Sequence, residues 1–523
     1  MKQLKLKPFL SLVLSVLIVG VLISFGDLGA AAVGGTSIAL MTPSFTNIED
    51  LKAFTKAWQA NSEGNTDVAA LTNGAGTTYH NLDDTMILLA NSMHDFKFIN
   101  TMFNKDTRST LNIFARILDW GGNGDPSFVG EADDVEFKDV NIDRITANVS
   151  FMAEGYAISK VLEMSNTGSF NPEQIQVQGA IMRIMRTLAY TTWYGNKSIN
   201  SLEFPGFVKE LIDAGQVYDA QGGFPAISDI KEMTVEIRQN WGLVNDFWLH
   251  PAAKAVLDNY YVGAKEFVVH PNTTNPDIGY DIPGLRGADL KDNRLQFKTD
   301  MWLNRHQVKL PTYRNANGVY VEGKTNDKSP DAPSAVAAVS GLIAGSKWKA
   351  NDCKNSAGVD AEVSYHIVAC NRWGRSAKST VVTSDLPINA GKSVNLTITP
   401  AGTGITADYF EIFRESFPGS GKFYLTERIV KSNNPTTVHA DLNEWRPGCT
   451  EGVVGDFNSQ SATDETRTYQ FIRMLPLLQT KFGRDNALYQ RKIAGMVELY
   501  GTLAVLQPKR FYVVKNLPTA NVG

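Results

Sequence analysis

Between Trp120 and Tyr260 the chain runs through an unusual order of element types with no catalytic residue among them. A Gly-rich tip with an acidic shoulder, WGGNGDPSFVGEADDVEF, leads into a long β-type stretch, KDVNIDRITANVSFMAEGYAISKVLEMS. An amphipathic helix follows, NPEQIQVQGAIMRIMRTLAYTTWYGN, then the turn SLEFPGF and a helical pair closing in DFWLHPAAKAVLDNYY. Enzymes concentrate functional side chains on loops held by a scaffold. These loops carry Gly, Asp and Asn, so the information lies in the architecture. Such a chain reads as one whose product is its own assembly.

The length, 523 residues, allows two to four domains at about 150 residues each. Hydrophobic residues at 43% and charged ones at 20% describe a globular protein with ample core. A formal charge of -4 argues against a surface that coats nucleic acid by neutralising phosphates, but it suits a container whose wall DNA does not adhere to. Cys353, Cys370 and Cys449 are too few for a disulfide framework and lack metal-ligand spacing, so they read as buried free thiols. Residues 1–40 stand apart. Lys2, Lys5 and Lys7 precede an apolar run from Phe9 to Phe25 and the small residues GDLGAAAVGG. The segment has the layout of a secretory signal and nearly the length of a membrane span. It also allows a start at Met41, where MTPSFTNIEDLKAF has the look of a soluble N-terminus.

After Met41, NIEDLKAFTKAWQA reads as a short helix with Asn47 as N-cap and Leu51, Phe54 and Trp58 on one face. Asn61 to Tyr79 is polar and reads as an extended arm. In STLNIFARILDW, Leu111, Ile113, Ala115 and Ile117 fall on one side. The chain then turns at Gly121, Gly122 and Gly124 and returns through Val135 and Phe137, which predicts a long two-stranded hairpin. Ile145, Ala147, Val149 and Phe151 alternate as a strand with one buried face. Val177, Ile181, Ile184 and Leu188 recur with helical spacing between Pro172 and Tyr194. Asn171 is the expected cap, Pro172 fits the first turn, and Gly195 is the stop.

The order of arm, hairpin, paired strand, long helix closed by YGN, FPGF and WLHPAAKAVL resembles the major capsid proteins of tailed bacteriophages, with the Hong Kong 97-type fold. Gly195 and Asn196 stand where members carry a Gly-Asp-like turn, and Pro205, Gly206 and Phe207 where they carry a Pro-Gly-hydrophobe turn. Trp248, Leu249 and Pro251 match a Trp-hydrophobe-x-Pro helix start. The ending VELYGTLAVLQPKRFYVVKNL resembles the family's closing strand. One segment interrupts the match. SPDAPSAVAAVSG is linker-like, and short alternating strands follow: Val363, Tyr365, Ile367 and Ala369 on one face, Val394, Leu396 and Ile398 on another, and Tyr409, Glu411 and Phe413 before RESFPGSGKFYL. These read as a β-sandwich. YHIVACNRWGRS and DYFEIFRES resemble strands of fibronectin type III or Ig-like domains, in an order opposite to the standard module.

The resemblance implies an α+β Hong Kong 97-type capsid fold with an inserted all-β Ig-like sandwich. Its expected divisions are a leader or misassigned start (1–40), an N-terminal arm (41–106), an extended hairpin loop (107–137) and a peripheral domain with a spine helix (138–203). Then come a first axial segment (204–328), the sandwich (329–433), a second axial segment (434–490) and a closing peripheral strand (491–523). Catalytic chemistry is not expected. NAGKS lacks the leading Gly of a P-loop, and none of the seven histidines forms an H-x-x-x-H pair. His250, before Pro251, reads as structural. Glu131, Asp133 and Asp134 read as a solvated shoulder that meets a basic neighbour, in preference to a metal or acid/base set. No cofactor or metal is expected. The candidate contacts between copies are Trp120, Gly121, Gly122, Gly124, Glu131, Asp133 and Asp134 on the hairpin, with Arg183 and Arg186 on the long helix. The implied partners are further copies, as hexamers and pentamers of a shell enclosing DNA. Scaffold, portal and maturation protease would join them, and the sandwich would face a host surface. A secreted or surface-anchored bacterial protein with an Ig-like binding module is the alternative.

Overall fold

Twenty-three residues from Pro172 to Tyr194 form the longest helix among the described residues, and its ends obey the sequence signals. The computed structural model describes residues 95–121, 128–131, 134–135, 137–164, 171–260, 266–269, 278–281, 295–315, 319–402, 404–458, 467–482 and 492–519. The leader, the Asn47-capped helix with Leu51, Phe54 and Trp58, the polar arm to Tyr79, and Gly122, Gly124 and Asp133 lie outside the described residues. Helices are α1 (Lys97–Thr101), α2 (Lys160–Met164), α3 (Pro172–Tyr194), α4 (Phe207–Asp213), α5 (Ile227–Gln239) and α6 (Pro251–Tyr260). Strands outnumber them, so the fold is mixed α and β with β dominant.

At the start of α3, the Asn171 side-chain oxygen accepts the Glu173 and Gln174 amides at 3.0 and 3.5 Å, as an N-cap should. Ile184 and Leu188 are buried, and Val177 and Ile181 pack half-buried on the same core. The helix ends because two glycine turns lock together. The Gly206 amide donates to the Gly195 carbonyl at 2.8 Å. A Cβ on Gly206 would lie 2.5 Å from the Gly195 nitrogen, and one on Gly195 would lie 2.3 Å from the Phe204 carbonyl oxygen. Here glycine is required by close backbone approach, not by a left-handed φ. Gly206→Ala is expected to destabilise the subunit by about 2–4 kcal/mol, because the colliding atoms are backbone and cannot rotate away. Urea unfolding would measure this, and a loss below about 0.5 kcal/mol would contradict it.

Helix α3 lies on a four-stranded sheet, in which β1 (Asn104–Asp106) pairs parallel with β21 (Tyr469–Lys481). β21 pairs antiparallel with β22 (Lys492–Val505), and β22 with β4 (Ser150–Ser159). Tyr156, Val497 and Leu499 from this sheet meet Ala180, Ile184 and Leu188 from the helix. Of the strand expected at 145–151, Ala147 and Val149 are buried and Ile145 half-buried, but Phe151 is exposed. The Val149 amide bonds to the Thr110 carbonyl, β3 (Asn141–Asn148) ends, and Ser150 begins β4 against another partner, β22. This break shifts the buried parity to Tyr156 and Ile158. Phe151 rests edge-on against Tyr500, with ring centroids 4.9 Å apart.

The second sheet has five strands in the order β5 (Val217–Asp219), β23 (Phe511–Leu517), β20 (Thr450–Gly455), β6 (Asp246–Leu249), β9 (Gln296–Thr299). One face packs on α5 and α6 through Ile230, Met233, Ile237 and Leu257. The other joins α3 and α4 around Phe98, Trp193, Phe207, Trp248, Phe457, Tyr469 and Phe511. A sheet covered on both faces needs continuous apolar runs, which explains why DFWL, read as part of a helical pair, is strand β6, with α6 starting only at Pro251. Segment 434–490 therefore contributes to both sheets, through β20 and β21. So does 491–523, through β22 and β23.

Two short hairpins, β7 (Glu266–Val269) with β8 (Ile278–Asp281) and β10 (Thr312–Arg314) with β11 (Tyr320–Glu322), precede a two-sheet sandwich. One of its sheets is β12 (Ser334–Leu342), β16 (Lys392–Thr399), β19 (Thr437–Asp441). The other is β14 (Gly374–Arg375), β13 (Ser364–Asn371), β17 (Tyr409–Glu415), β18 (Phe423–Val430), with β15 (Val382–Thr383) also on β13. Val363, Tyr365, Ile367 and Ala369 meet Val394, Leu396 and Ile398 in its core. Phe410 and Ile412 face that core as well, whereas Tyr409 and Phe413 point the opposite way.

Candidate assembly surfaces

The hairpin is β2 (Leu111–Asp119) with β3, in register from Leu111↔Asn148 to Asp119↔Asn141. The return strand thus begins at Asn141. Val135 and Phe137, expected within it, precede it in exposed coil. Paired residues of an antiparallel ladder share a face. One face carries Phe114, Ala147 and the Arg116–Asp143 ion pair (2.7 Å), and its base packs on Ile472, Ala504 and Leu506. The opposite face carries Leu111, Ile113, Ile117 and Ile142. This is the apolar side that the alternation singled out, and it points to solvent, with Ile113 59% exposed. Beyond it Trp120, Phe128, Val129, Val135 and Phe137 are exposed as well. Exposed large apolar residues in this number on one element are a feature of interaction surfaces, although Thr146 and Arg144 of β3 lie among them.

Trp120, Gly121, Glu131 and Asp134 all fall at the hairpin's outer end, and Trp120, Glu131 and Asp134 are exposed. Gly121 has φ +79° and a would-be Cβ 2.3 Å from the Asp139 carbonyl oxygen, so only glycine fits at this turn. Arg183 and Arg186 lie on the outer side of α3. Arg183 is engaged within the chain, with Nε 3.1 Å from Glu154 and a terminal nitrogen 3.3 Å from the Gly155 carbonyl.

A joint that the sequence did not reveal binds the sandwich to the body. Val368, Cys370, Tyr409, Phe413 and Leu425 pack on Ile199, Val308 and Leu310. Arg428 grips Glu203 through both terminal nitrogens, at 2.6 and 3.2 Å. Arg446 binds Asp352 in the same way at 2.6 and 2.9 Å, and Lys347 reaches Asp219 at 2.7 Å. A cleft of about 390 Å³ opens beside this joint, between Tyr190, Leu310, Arg375, Tyr409 and Arg428. Deeper in, Glu451 accepts the Tyr194 hydroxyl, and burial raises its pKa although Arg305 lies 3.4 Å away. His250 is structural, as expected. Its Nδ1 accepts the Ala252 amide at 3.2 Å, and burial pushes its pKa down to about 4. Cys353 and Cys370 are buried free thiols, while Cys449 is a half-buried one.

Among the described residues, the outward side of β2 therefore stays open to solvent. No family model matches the chain. Over 446 residues it is 24% identical to the major capsid proteins of Staphylococcus phage S25-3 and Staphylococcus phage K, covering 83% of this chain and 89% of each relative. Similar solved structures include the capsid of a native GTA particle (10% identity, 86% of this chain and 99% of that one, TM-score 0.39) and Microbacterium phage Oxtober96 (8%, 86% and 99%, 0.40). The role of the chain is structural, and its place is the capsid of a virion.

Proposed function

We propose that this chain is a major capsid subunit of the Hong Kong 97 type, self-assembling in hexamers and pentamers into an icosahedral head around phage DNA. The observation that carries the reading is the hairpin, anchored at its base and presenting Leu111, Ile113, Ile117 and Ile142 on a face that no other described residue covers, in a chain similar to phage capsid proteins over most of its length. In this reading 107–137 and the return strand to Asn148 form the extended loop that lies across a neighbour. The four-stranded sheet with α3 is the peripheral domain, and the five-stranded sheet with α5 and α6 is the axial domain. Trp120, Gly121, Gly122, Gly124, Glu131, Asp133, Asp134, Arg183 and Arg186 are the proposed contact residues. Scaffold, portal and maturation protease are the further partners such a head would use.

The inserted sandwich is proposed to be Ig-like. Its β13 and β17, the strands carrying YHIVACN and DYFEIFR, are antiparallel neighbours in one sheet. A cyclic shift of strand order keeps that pairing while reversing which strand comes first. The test is electron microscopy of the purified protein. Closed shells are expected from the wild type, and folded but unassembled subunits when Gly121–Gly130 are deleted. A wild-type protein that stays monomeric under every condition, including with scaffold, rules the reading out.

A further inference from the structure

The sheet β12-β16-β19 has an outer face, turned from the sandwich core. Strand register sets Val336, Thr397 and Val438 in one row across it and Ala338, Asn395 and Ala440 in the next, with Ser334 beside Thr399. Val336 and Val438 are 67% and 66% exposed, and Ser334, Ala338, Thr399 and Ala440 are exposed too. None of these outward residues is ionisable. Solvent-facing β surfaces are commonly guarded by charge, and a flat face of small and β-branched residues is suited to pack on another sheet.

The rows read alike from either side, as Val-Thr-Val and Ala-Asn-Ala. β12 and β19 are each antiparallel to β16, so they run parallel to one another. A half-turn about an axis along β16 would lay β12 of one copy over β19 of the other. Val336 would then face Val438 of the partner subunit, and Thr397 would face its own counterpart. Every contact off the axis occurs twice, as a two-fold interface requires.

We propose that this face is a two-fold contact between the sandwiches of two copies of this chain. The proposal rests on the capsid reading. Three strands by five residues cover roughly 14 by 17 Å, about 250 Å² per copy. A stable complex needs about 800 Å² per partner, so this face does not hold a dimer in solution. It acts where other contacts already place copies side by side, which raises the effective concentration to about millimolar. A shell supplies that condition.

Val336→Lys and Val438→Glu alter exposed side chains, so the soluble subunit should keep its circular dichroism and melting temperature. Val336→Lys alone is expected to reduce the shell fraction at limiting protein by about fivefold or more, because the contact repeats across the lattice. Adding Val438→Glu should restore it, since each Lys then meets a Glu across the contact. A Thr397→Cys subunit should be linked to dimers by a short bismaleimide in shells and not when disassembled, with the wild type correcting for Cys449. Shells of Val336→Lys as abundant as wild type, or no Thr397→Cys dimers in intact shells, overturn the proposal while leaving the capsid reading standing. Wild-type protein that never forms shells removes that reading and this contact with it.

Discussion

Replacing Arg428 with alanine is expected to destabilise the subunit by about 3–5 kcal/mol, the cost of leaving one partner of a buried ion pair alone. The side chain of Arg428 is 10% exposed and that of Glu203 20%. Glu203 does more than balance the charge: it also accepts the Asn196 amide at 3.2 Å and the Asn200 side chain at 3.1 Å. It thereby ties down the turn between the two interlocked glycines that end α3. Arg428, on β18, thus connects the sandwich to the end of the spine helix. Removing the guanidinium leaves a mostly buried carboxylate in that turn and strips the cation from beside the Tyr409 ring, 5.1 Å away. Replacing both partners, as Arg428→Met with Glu203→Gln, should recover part of the loss, because no charge is left without its counterpart and the glutamine oxygen still accepts a hydrogen bond from the turn. Urea titrations of the two variants and wild type would decide. A single-variant loss under about 1 kcal/mol would mean that the sandwich merely hangs from the body.

The sequence contained the local structure and little of how the pieces meet. Helix α3 was legible to the residue, because Asn171, Pro172 and Gly195 are signals that act within one turn. The apolar alternation of the sandwich strands was legible for the same reason. Phe151 was misplaced because alternation continues through Val149 in the sequence while the chain changes partner there. Only the register with β22 reveals the shift. DFWL was taken for helix since a strand buried on both faces does not alternate. The hairpin's apolar side was found, but its direction was not: periodicity identifies a face and cannot say what covers it. Arg428 and Glu203 lie 225 positions apart, a separation across which single-sequence reading has no signal. The bracing of the sandwich by the Arg428, Arg446 and Lys347 pairs was illegible for the same reason.

Ile113→Asp with Ile117→Asp should abolish shell formation and leave the isolated subunit nearly as stable as before. In the subunit both side chains face solvent, on the side of β2 opposite the Phe114 and Arg116 contacts, and surface substitutions away from packing usually change stability by less than about 0.5 kcal/mol. In a shell where this face lies on a neighbour, each buried isoleucine contributes about 1.5–3 kcal/mol. Losing two therefore weakens each contact by at least about 3 kcal/mol, more than a hundredfold, before the cost of desolvating two carboxylates is added. The effect multiplies because every subunit presents the same hairpin. Arg116→Ala is the control on the opposite face. It removes a half-exposed pair with Asp143 that is worth about 0.2–1 kcal/mol, so shells should still form. Particle counts by electron microscopy, beside melting curves of the unassembled subunits, separate the outcomes. Normal shells from the double aspartate variant would show that the bare face of β2 meets no neighbour. Unfolded subunits would show instead that the face is covered within its own chain.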